Sequence, residues 1–346
     1  MRRILMLLLL VAMLCPLSAL ADKTVTMTFV GDCTLGAEEY RKDYDDSLPA
    51  YVKKYGYDYF FANVRQLFEE DDLTILNFEG VLSDINTQED KNKTYRFRGP
   101  TDYVNILTRN SVEVVTLANN HIRDFGNQGE RNTKLTLDAA GVAWSMHQDL
   151  CVMEVKGVKI AFLNMYGTST NYNALGNFFK TKMKSLKEDE GVNAIVFIFH
   201  MGREYAPTHQ VGQENMAKFA INAGADLVMM HHPHVVEGIT TINNRYVCYS
   251  LGNFAFGGNC KVRALETMLV QVDMTFSDSG EYMGQSLRIY PMNISDHPEL
   301  NHYQPVMVKG SAAEKVMSLV QRDSSFKLNP FDEELGYAQQ NYLPAQ

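Results

Sequence analysis

Apolar and polar positions alternate along this chain in a way that resolves it into short β-rich runs. They lie at Val25–Val30, Leu73–Leu76, Val112–Leu117, Val152–Leu163, Ala194–Phe199, Leu227–Met230 and Tyr246–Tyr249. Between several of them the spacing predicts helices over Tyr51–Glu70, Tyr103–Arg109, Thr133–Ala140 and Val211–Ala223, the last two stopped by Gly141 and Gly224. Strand–helix alternation implies an α/β architecture with largely parallel strands. Thr267–Phe276 and Gln285–Tyr290 have less helix between them and read as antiparallel, Lys315–Gln321 as one late helix, and 323–346 as a loosely structured tail. No repeat or low-complexity linker divides residues 22–322, which read as one domain.

Polar residues collect where the strands end. Val25–Val30 runs into Gly31-Asp32, Leu73–Leu76 into Asn77-Phe78-Glu79, and Val112–Leu117 into Asn119-Asn120-His121 and then Asp124. Ala194–Phe199 runs into His200, Leu227–Met230 into His231, His232 and His234, and Tyr246–Tyr249 into Ser250-Leu251-Gly252-Asn253. In open α/β sheets the carboxyl ends of strands are where sites form. One such junction is ordinary turn chemistry, and a lone His-x-His is ordinary strand alternation. Six junctions together, three of them bearing histidine, point to a metal or acid–base site. Mixed Asp, Glu, Asn and His donors suit Mn, Fe or Zn better than an all-oxygen calcium cage. Cys33, one residue from Asp32, faces the other way and reads as a small buried residue.

Composition and charge change the picture in two places. The first 21 residues have the form of a secretory signal: Arg2 and Arg3, an apolar Ile4–Leu14, and Ala19-Leu20-Ala21, with cleavage expected after Ala21. An exported protein with no membrane span in its mature chain is expected, in the periplasm, cell envelope or extracellular space. The net charge of −9 becomes −11 without Arg2 and Arg3, which argues against nucleic acid as a partner. Four cysteines then remain, and Cys248 with Cys260, which bracket one loop, are the expected disulfide pair.

The ordered motifs GDCTLG, NFEG, RFRGP, LANNHIRDFG, HMGREY, HHPHVVEG and SLGNFAFG, with the later YQPVMV, resemble the CapA family. These are proteins associated with poly-γ-glutamate capsule synthesis, similar in turn to calcineurin-like metallophosphoesterases. The resemblance implies a four-layer αββα sandwich, two packed mixed β-sheets flanked by helices. It implies one or two divalent ions held by Asp32, Glu79, Asn120, His200, His232 and His234, with His121 as acid or as a cation near phosphate. His231 is then a neighbour of the ligands or packed away. The sequence departs from the superfamily where Asp-x-His becomes Asp32-Cys33-Thr34 and where Glu79 replaces a bridging aspartate, so two-metal hydrolysis does not follow from the resemblance alone.

Other residues keep two readings. Arg96 and Arg98 share one face of an extended segment, either gripping a carboxylate or phosphate or lying on a solvated strand. Arg203 and Glu204 contact substrate or pair with each other, the pair being slightly favoured. Asp124 orients His121 or caps the next helix. Asn253 donates to the site or shapes a turn. The aromatic runs Tyr55–Phe61 and Phe254–Phe256 read as core or rim. The function expected is a metal-dependent hydrolase of an anionic polymer or phosphoester, and the alternative is a non-catalytic metal- and polymer-binding subunit. Membrane-embedded synthase or export subunits are the partners that either would have.

Overall fold

The apolar strands are covered on both faces, and that sets the layering. In Ala194–His200, Ala194, Val196 and Ile198 enter one buried cluster while Ile195, Phe197 and Phe199 enter another. The same division runs through the molecule. The computed structural model describes residues 22–167 and 172–346, so the expected leader lies outside the described residues.

In chain order the strands are β1 (Lys23–Thr34), β2 (Leu73–Phe78), β3 (Val81–Leu82), β4 (Arg98–Gly99), β5 (Val114–Thr116), β6 (Ala143–Ser145), β7 (Cys151–Val155), β8 (Val158–Tyr166) and β9 (Ala194–His200). They continue with β10 (Leu227–His231), β11 (Ile239–Ile242), β12 (Arg245–Cys248), β13 (Asn253–Phe256), β14 (Glu266–Phe276), β15 (Tyr282–Asn293), β16 (Val306–Met307), β17 (Ala338–Gln339) and β18 (Leu343–Pro344). The α-helices are α1 (Leu48–Tyr55), α2 (Arg65–Glu70), α3 (Val104–Thr108), α4 (Gly126–Ala140), α5 (Tyr172–Glu188), α6 (Val211–Asn222) and α7 (Gly310–Arg322).

The first sheet runs β16-β15-β14-β1-β2-β5-β6, with β13 beside β1 and both β17 and β18 on β15. The second runs β11-β12-β10-β9-β8-β7. Both are mixed: β1 pairs in parallel with β2 and antiparallel with β14, while β8, β9 and β10 are parallel and β7 is antiparallel. Val25, Met27, Phe29 and Ile75 of the first sheet meet Ile160, Phe162, Val196 and Met229 of the second in one cluster between the sheets. Helices α1 to α4 cover the outer face of the first sheet through Leu48, Phe68, Ile106 and Leu137. Helices α5 and α6 cover the second through Phe179, Met183, Met216 and Ala220. This is the four-layer αββα sandwich.

Several boundaries differ from expectation. The helix expected over Tyr51–Glu70 breaks at Gly56, whose φ of 80° is left-handed. Val152–Leu163 is a hairpin, turned at Lys156-Gly157. Helix α4 starts at Gly126, well before Thr133, and Gly129 lets it approach Val81 closely. Helix α5 was not anticipated, although Phe179, Met183 and Leu186 repeat at helical spacing and are buried. The tail has little regular structure but is anchored: Asp323 accepts from the backbone of His209 and Gly238, and β17 and β18 add to β15. Cys248 and Cys260 are both free thiols, so the expected disulfide is not formed. Cys248 points into the core between the sheets, whereas Cys260 lies near Arg41 and Asp46. Among the described residues, no helix is long and apolar enough to cross a membrane.

Candidate metal centre

The period-two pattern that builds the inner core continues past it into polar residues. On β2 the inward positions are Leu73, Ile75 and then Asn77, and on β9 they end at His200. On β10 the inward series Leu227, Met229 ends at His231, in register with His200. On β1 an irregularity between Phe29 and Asp32 turns Asp32 toward the second sheet. Close approach of β1 and β13 is needed there, since a Cβ on Gly31 would lie 2.1 Å from the Gly252 carbonyl. Cys33 falls on the opposite face, in the outer cluster, and donates to the Gly31 carbonyl. Burial pushes its thiol far up, and its place on the outer face keeps its sulfur away from the site.

Asp32, Glu79, His200, His232 and His234 converge. Ligand atoms of Glu79, His200 and His232 lie within 4.8 Å of one another, as do those of Asp32, Glu79 and His234, and those of Glu204, His232 and His234. Glu79 is shared by two of these trios. It is fully buried and neither carboxylate oxygen has a hydrogen-bond partner. Around its Oε1 stand His200 Nε2 at 3.6 Å, His121 Nε2 at 3.7 Å and His234 Nε2 at 3.9 Å. An orphaned carboxylate ringed by imidazole nitrogens beyond hydrogen-bond reach is what a cation site requires, and the mixed oxygen and nitrogen donors fit a divalent transition ion.

The neighbours aim these groups. Asn77 donates to Asp32 Oδ1 at 2.8 Å and stands 3.1 Å from His200 Nδ1. Asn120 Oδ1 is 2.7 Å from His200 Nε2, which reaches His232 Nδ1 at 3.1 Å. His234 Nδ1 faces Asn253 Oδ1 at 2.9 Å and Asp32 Oδ2 at 3.3 Å, leaving Nε2 toward Glu79. Asn253 thus orients His234. His231 sits 3.2 Å from the other Asp32 oxygen. His232 and His234 have φ values of 100° and 59°, strained for residues with a Cβ, so the loop is held in a costly shape at the cluster.

Electrostatics describe a cage that attracts positive charge. Burial alone would raise the Asp32 carboxyl, but His231 and His234 outweigh it and hold it well below its ordinary value. Burial pushes Glu79 well above, with Asp32 and Glu204 adding repulsion. His200 is driven down by burial and by His232. Burial opposes a proton on His234, yet Glu79 and Asp32 raise it to about 9. A proton and a metal ion therefore compete for the same nitrogen.

Beside the cage, His121 Nδ1 is 2.6 Å from Asp124, which also accepts from Phe97 N and from Lys93 Nζ at 2.5 Å. Asp124 orients His121 and does not cap α4, whose N-cap is Phe125. Lys93 also donates to the Asn120 carbonyl, a role that its place in the polar run Asp90-Lys91-Asn92-Lys93 did not advertise. Arg98 is tied to Glu39 at 2.7 Å and to Ser83 O, and Arg96 to Glu89 at 2.8 Å. Both are paired with carboxylates within the fold. Arg203 and Glu204 make no ion pair with each other; Glu204 is exposed and reaches His232 and His234.

The chain also matches known proteins in sequence. The profile of a family described as bacterial capsule synthesis protein PGA_cap matches residues 26–258. The chain is similar to the capsule biosynthesis protein CapA of Bacillus anthracis, 27% identical over 81% of this chain and 70% of the relative. It is also 27% identical to the PGA biosynthesis protein CapA of Bacillus subtilis strain 168, over 76% of this chain and 71% of the relative. A solved structure described as a novel phosphatase of Mycoplasma pneumoniae is 14% identical with a TM-score of 0.45, covering 82% of this chain and 97% of that one, a likeness too distant to assign chemistry.

Proposed function

The chain belongs to the bacterial capsule synthesis protein family PGA_cap, and on that premise we propose that it is an exported, metal-dependent hydrolase acting on an anionic capsule or envelope polymer or its precursor. The observation that carries this reading is Glu79, a fully buried carboxylate without a hydrogen bond among three imidazoles. Asp32, Glu79, Asn120, His200, His232 and His234 would hold one or two ions, with Mn, Fe or Zn favoured by the donors. Such an ion, when bound, supplies Lewis acidity and a nucleophilic water near neutral pH.

The chain's own residues divide the remaining work. Asp124 holds His121 Nδ1, so Nε2 faces the cluster and delivers a proton to the leaving group. Phe97, its ring centroid 4.5 Å from that of His121, restricts the imidazole and excludes water from its flank. Asn77 fixes Asp32 against His200. The bond acted on is a polyglutamate amide, by association with the family, or a phosphoester of a precursor, by its resemblance to metallophosphoesterases. The test is turnover of poly-γ-glutamate and of generic phosphomono- and diesters with added Mn. His121→Ala should lower the rate by about 10²- to 10⁴-fold; an unchanged rate contradicts the mechanism.

A second reading has its own observation. Where ordinary metallophosphoesterases place a histidine after Asp-x, this chain has Thr34, whose hydroxyl donates to the Glu79 carbonyl. One imidazole fewer on the Asp32 side favours a subunit that grips metal and polymer without turnover, within a synthesis or export assembly. Tight polymer binding with no hydrolysis in the Mn-loaded protein is the result that selects it.

A further inference from the structure

An acidic protein that handles an anionic polymer needs cations left free at its site, and most arginines here are already engaged. Arg96 and Arg98 flank Phe97, which packs on His121, but are held by Glu89 and Glu39. Arg41, Arg65, Arg109, Arg123, Arg245 and Arg288 also pair with carboxylates, and Arg322 donates to the Pro207 carbonyl. Among the described arginines this leaves Arg131, on the outer helix α4, together with Arg203 and Arg263. Arg263 lies over Tyr205 beside the cluster, and Arg203 stands two residues before Tyr205 on the same loop.

We propose that Arg263, seated on Tyr205 and accompanied by Arg203, forms an anion subsite at the His232–His234 edge of the cluster and takes a carboxylate of the polymer. This rests on the reading of the cluster as a metal site that acts on such a polymer. The guanidinium carbon of Arg263 lies 3.6 Å from the centroid of the Tyr205 ring, and that ring lies 5.8 Å from the His234 ring. The guanidinium lies over the aromatic face and also hydrogen-bonds the Tyr205 hydroxyl, while no carboxylate among the described residues pairs with it, so its remaining N–H groups are left for an oxyanion. One aromatic ring therefore separates a guanidinium without a carboxylate partner from a metal-ligand histidine.

The backbone holds this geometry on both sides. Met201 N donates to the His231 carbonyl at 2.9 Å and Tyr205 N to the Pro233 carbonyl at 2.8 Å, so the loop carrying Arg203, Glu204 and Tyr205 is strapped to the histidine loop. Gly202, at a φ of 126°, lies against Pro233, where an added Cβ would come to 3.0 Å. Tyr205 itself is left-handed, at a φ of 57°, a shape that turns its ring between His234 and Arg263. On the other side Lys261 bridges to Leu300, and Val262 N donates to Glu299 O at 2.9 Å. Glu204, at the same edge, completes a trio with His232 and His234.

The experiment measures binding of fluorescently labelled poly-γ-glutamate, and in parallel inorganic polyphosphate, to the full Mn-loaded protein at near-physiological salt. R263A should weaken poly-γ-glutamate binding roughly 10- to 100-fold, the loss expected for a charge-assisted pair. R263K should restore little of it because an ammonium lacks the planar fork. R203A should cost a few-fold and R131A nothing, with metal content unchanged in every variant. R263A binding like the wild type, R131A losing as much as R263A, or a wild type that binds neither polymer overturns the subsite. Wild-type binding of polyphosphate alone, lost in R263A, overturns the carboxylate assignment. Binding needs no turnover, so dependence on Arg263 in a protein without hydrolysis would sink the hydrolase reading and leave the subsite standing.

Discussion

The layer between the two sheets has two ends, and the same strands treat burial in opposite ways at each. At one end Val25, Met27, Phe29, Ile160, Phe162, Val196 and Met229 fill the space with hydrocarbon. At the other, Asp32, Asn77, Thr116 and His200 occupy the same inward face, and all are buried. The apolar end lowers the free energy of the fold as it closes. The polar end raises it, because Glu79 is stripped of water and receives no donor in return. A fold keeps such a region where the cost is offset by something bound there. The difference teaches where to look for chemistry: at the point along a strand where the alternation persists but its polarity reverses.

Substitutions at the two ends should therefore differ in sign as well as size. Phe162→Ala, at the apolar end, should lower the unfolding free energy by about 3–5 kcal/mol in denaturant titration while leaving bound metal per folded chain unchanged. Next comes Glu237, buried just beyond the histidine loop and bonded to Gln213 at 2.7 Å. Burial raises its carboxyl to about 8 in the folded protein, against an ordinary 4.5. The folded state then holds the extra proton, so its contribution is fully present below about pH 4.5 and lost as pH rises through about 8. Glu237→Gln should flatten that decline in a series of thermal melts across the window; an unaltered slope places the titration elsewhere. Lys93→Met should lower kcat by about 10- to 100-fold and alter the pH profile of kcat, with partial recovery in Lys93→Arg, because it frees both Asp124 and the Asn120 carbonyl. Smallest in size but opposite in sign, Glu79→Gln should raise metal-free stability by about 1 kcal/mol and abolish further stabilisation by added Mn.

The layering and the strand ends that carry Asp32, Glu79, His121, His200, His232 and His234 could be read from the sequence, because period two and strand-terminal polarity are local signals. Asn77 carried the same signal, as a polar residue closing an apolar inward series, but an amide in a strand reads as a turn former unless its inward position is known. Helix α4 could not be bounded, since Gly126 and Gly129 disfavour helix by propensity and only packing against Val81 and Phe125 overrides it. The carboxylate partner of Arg98 was hidden for another reason: Glu39 lies 59 positions from it, a distance that only the fold closes. Cys248 and Cys260 were close in sequence, yet Cys248 lies in the core between the sheets and Cys260 near Arg41 and Asp46, so proximity along the chain misled. Lys93, in a polar run that carries no local signal of a site, fastens Asp124 beside His121. Local pattern gave the ligands; long-range pairing decided which of the remaining charges stay free.

The claim that the polar end of this layer is a metal site is tested most directly by metal content. The protein, purified without chelator or polyhistidine tag, should carry one or two equivalents of Mn, Fe or Zn by mass spectrometry, and the His232→Ala, His234→Ala double variant should carry none while remaining folded. A well-folded wild type that holds no metal and refuses added Mn and Zn would contradict the account.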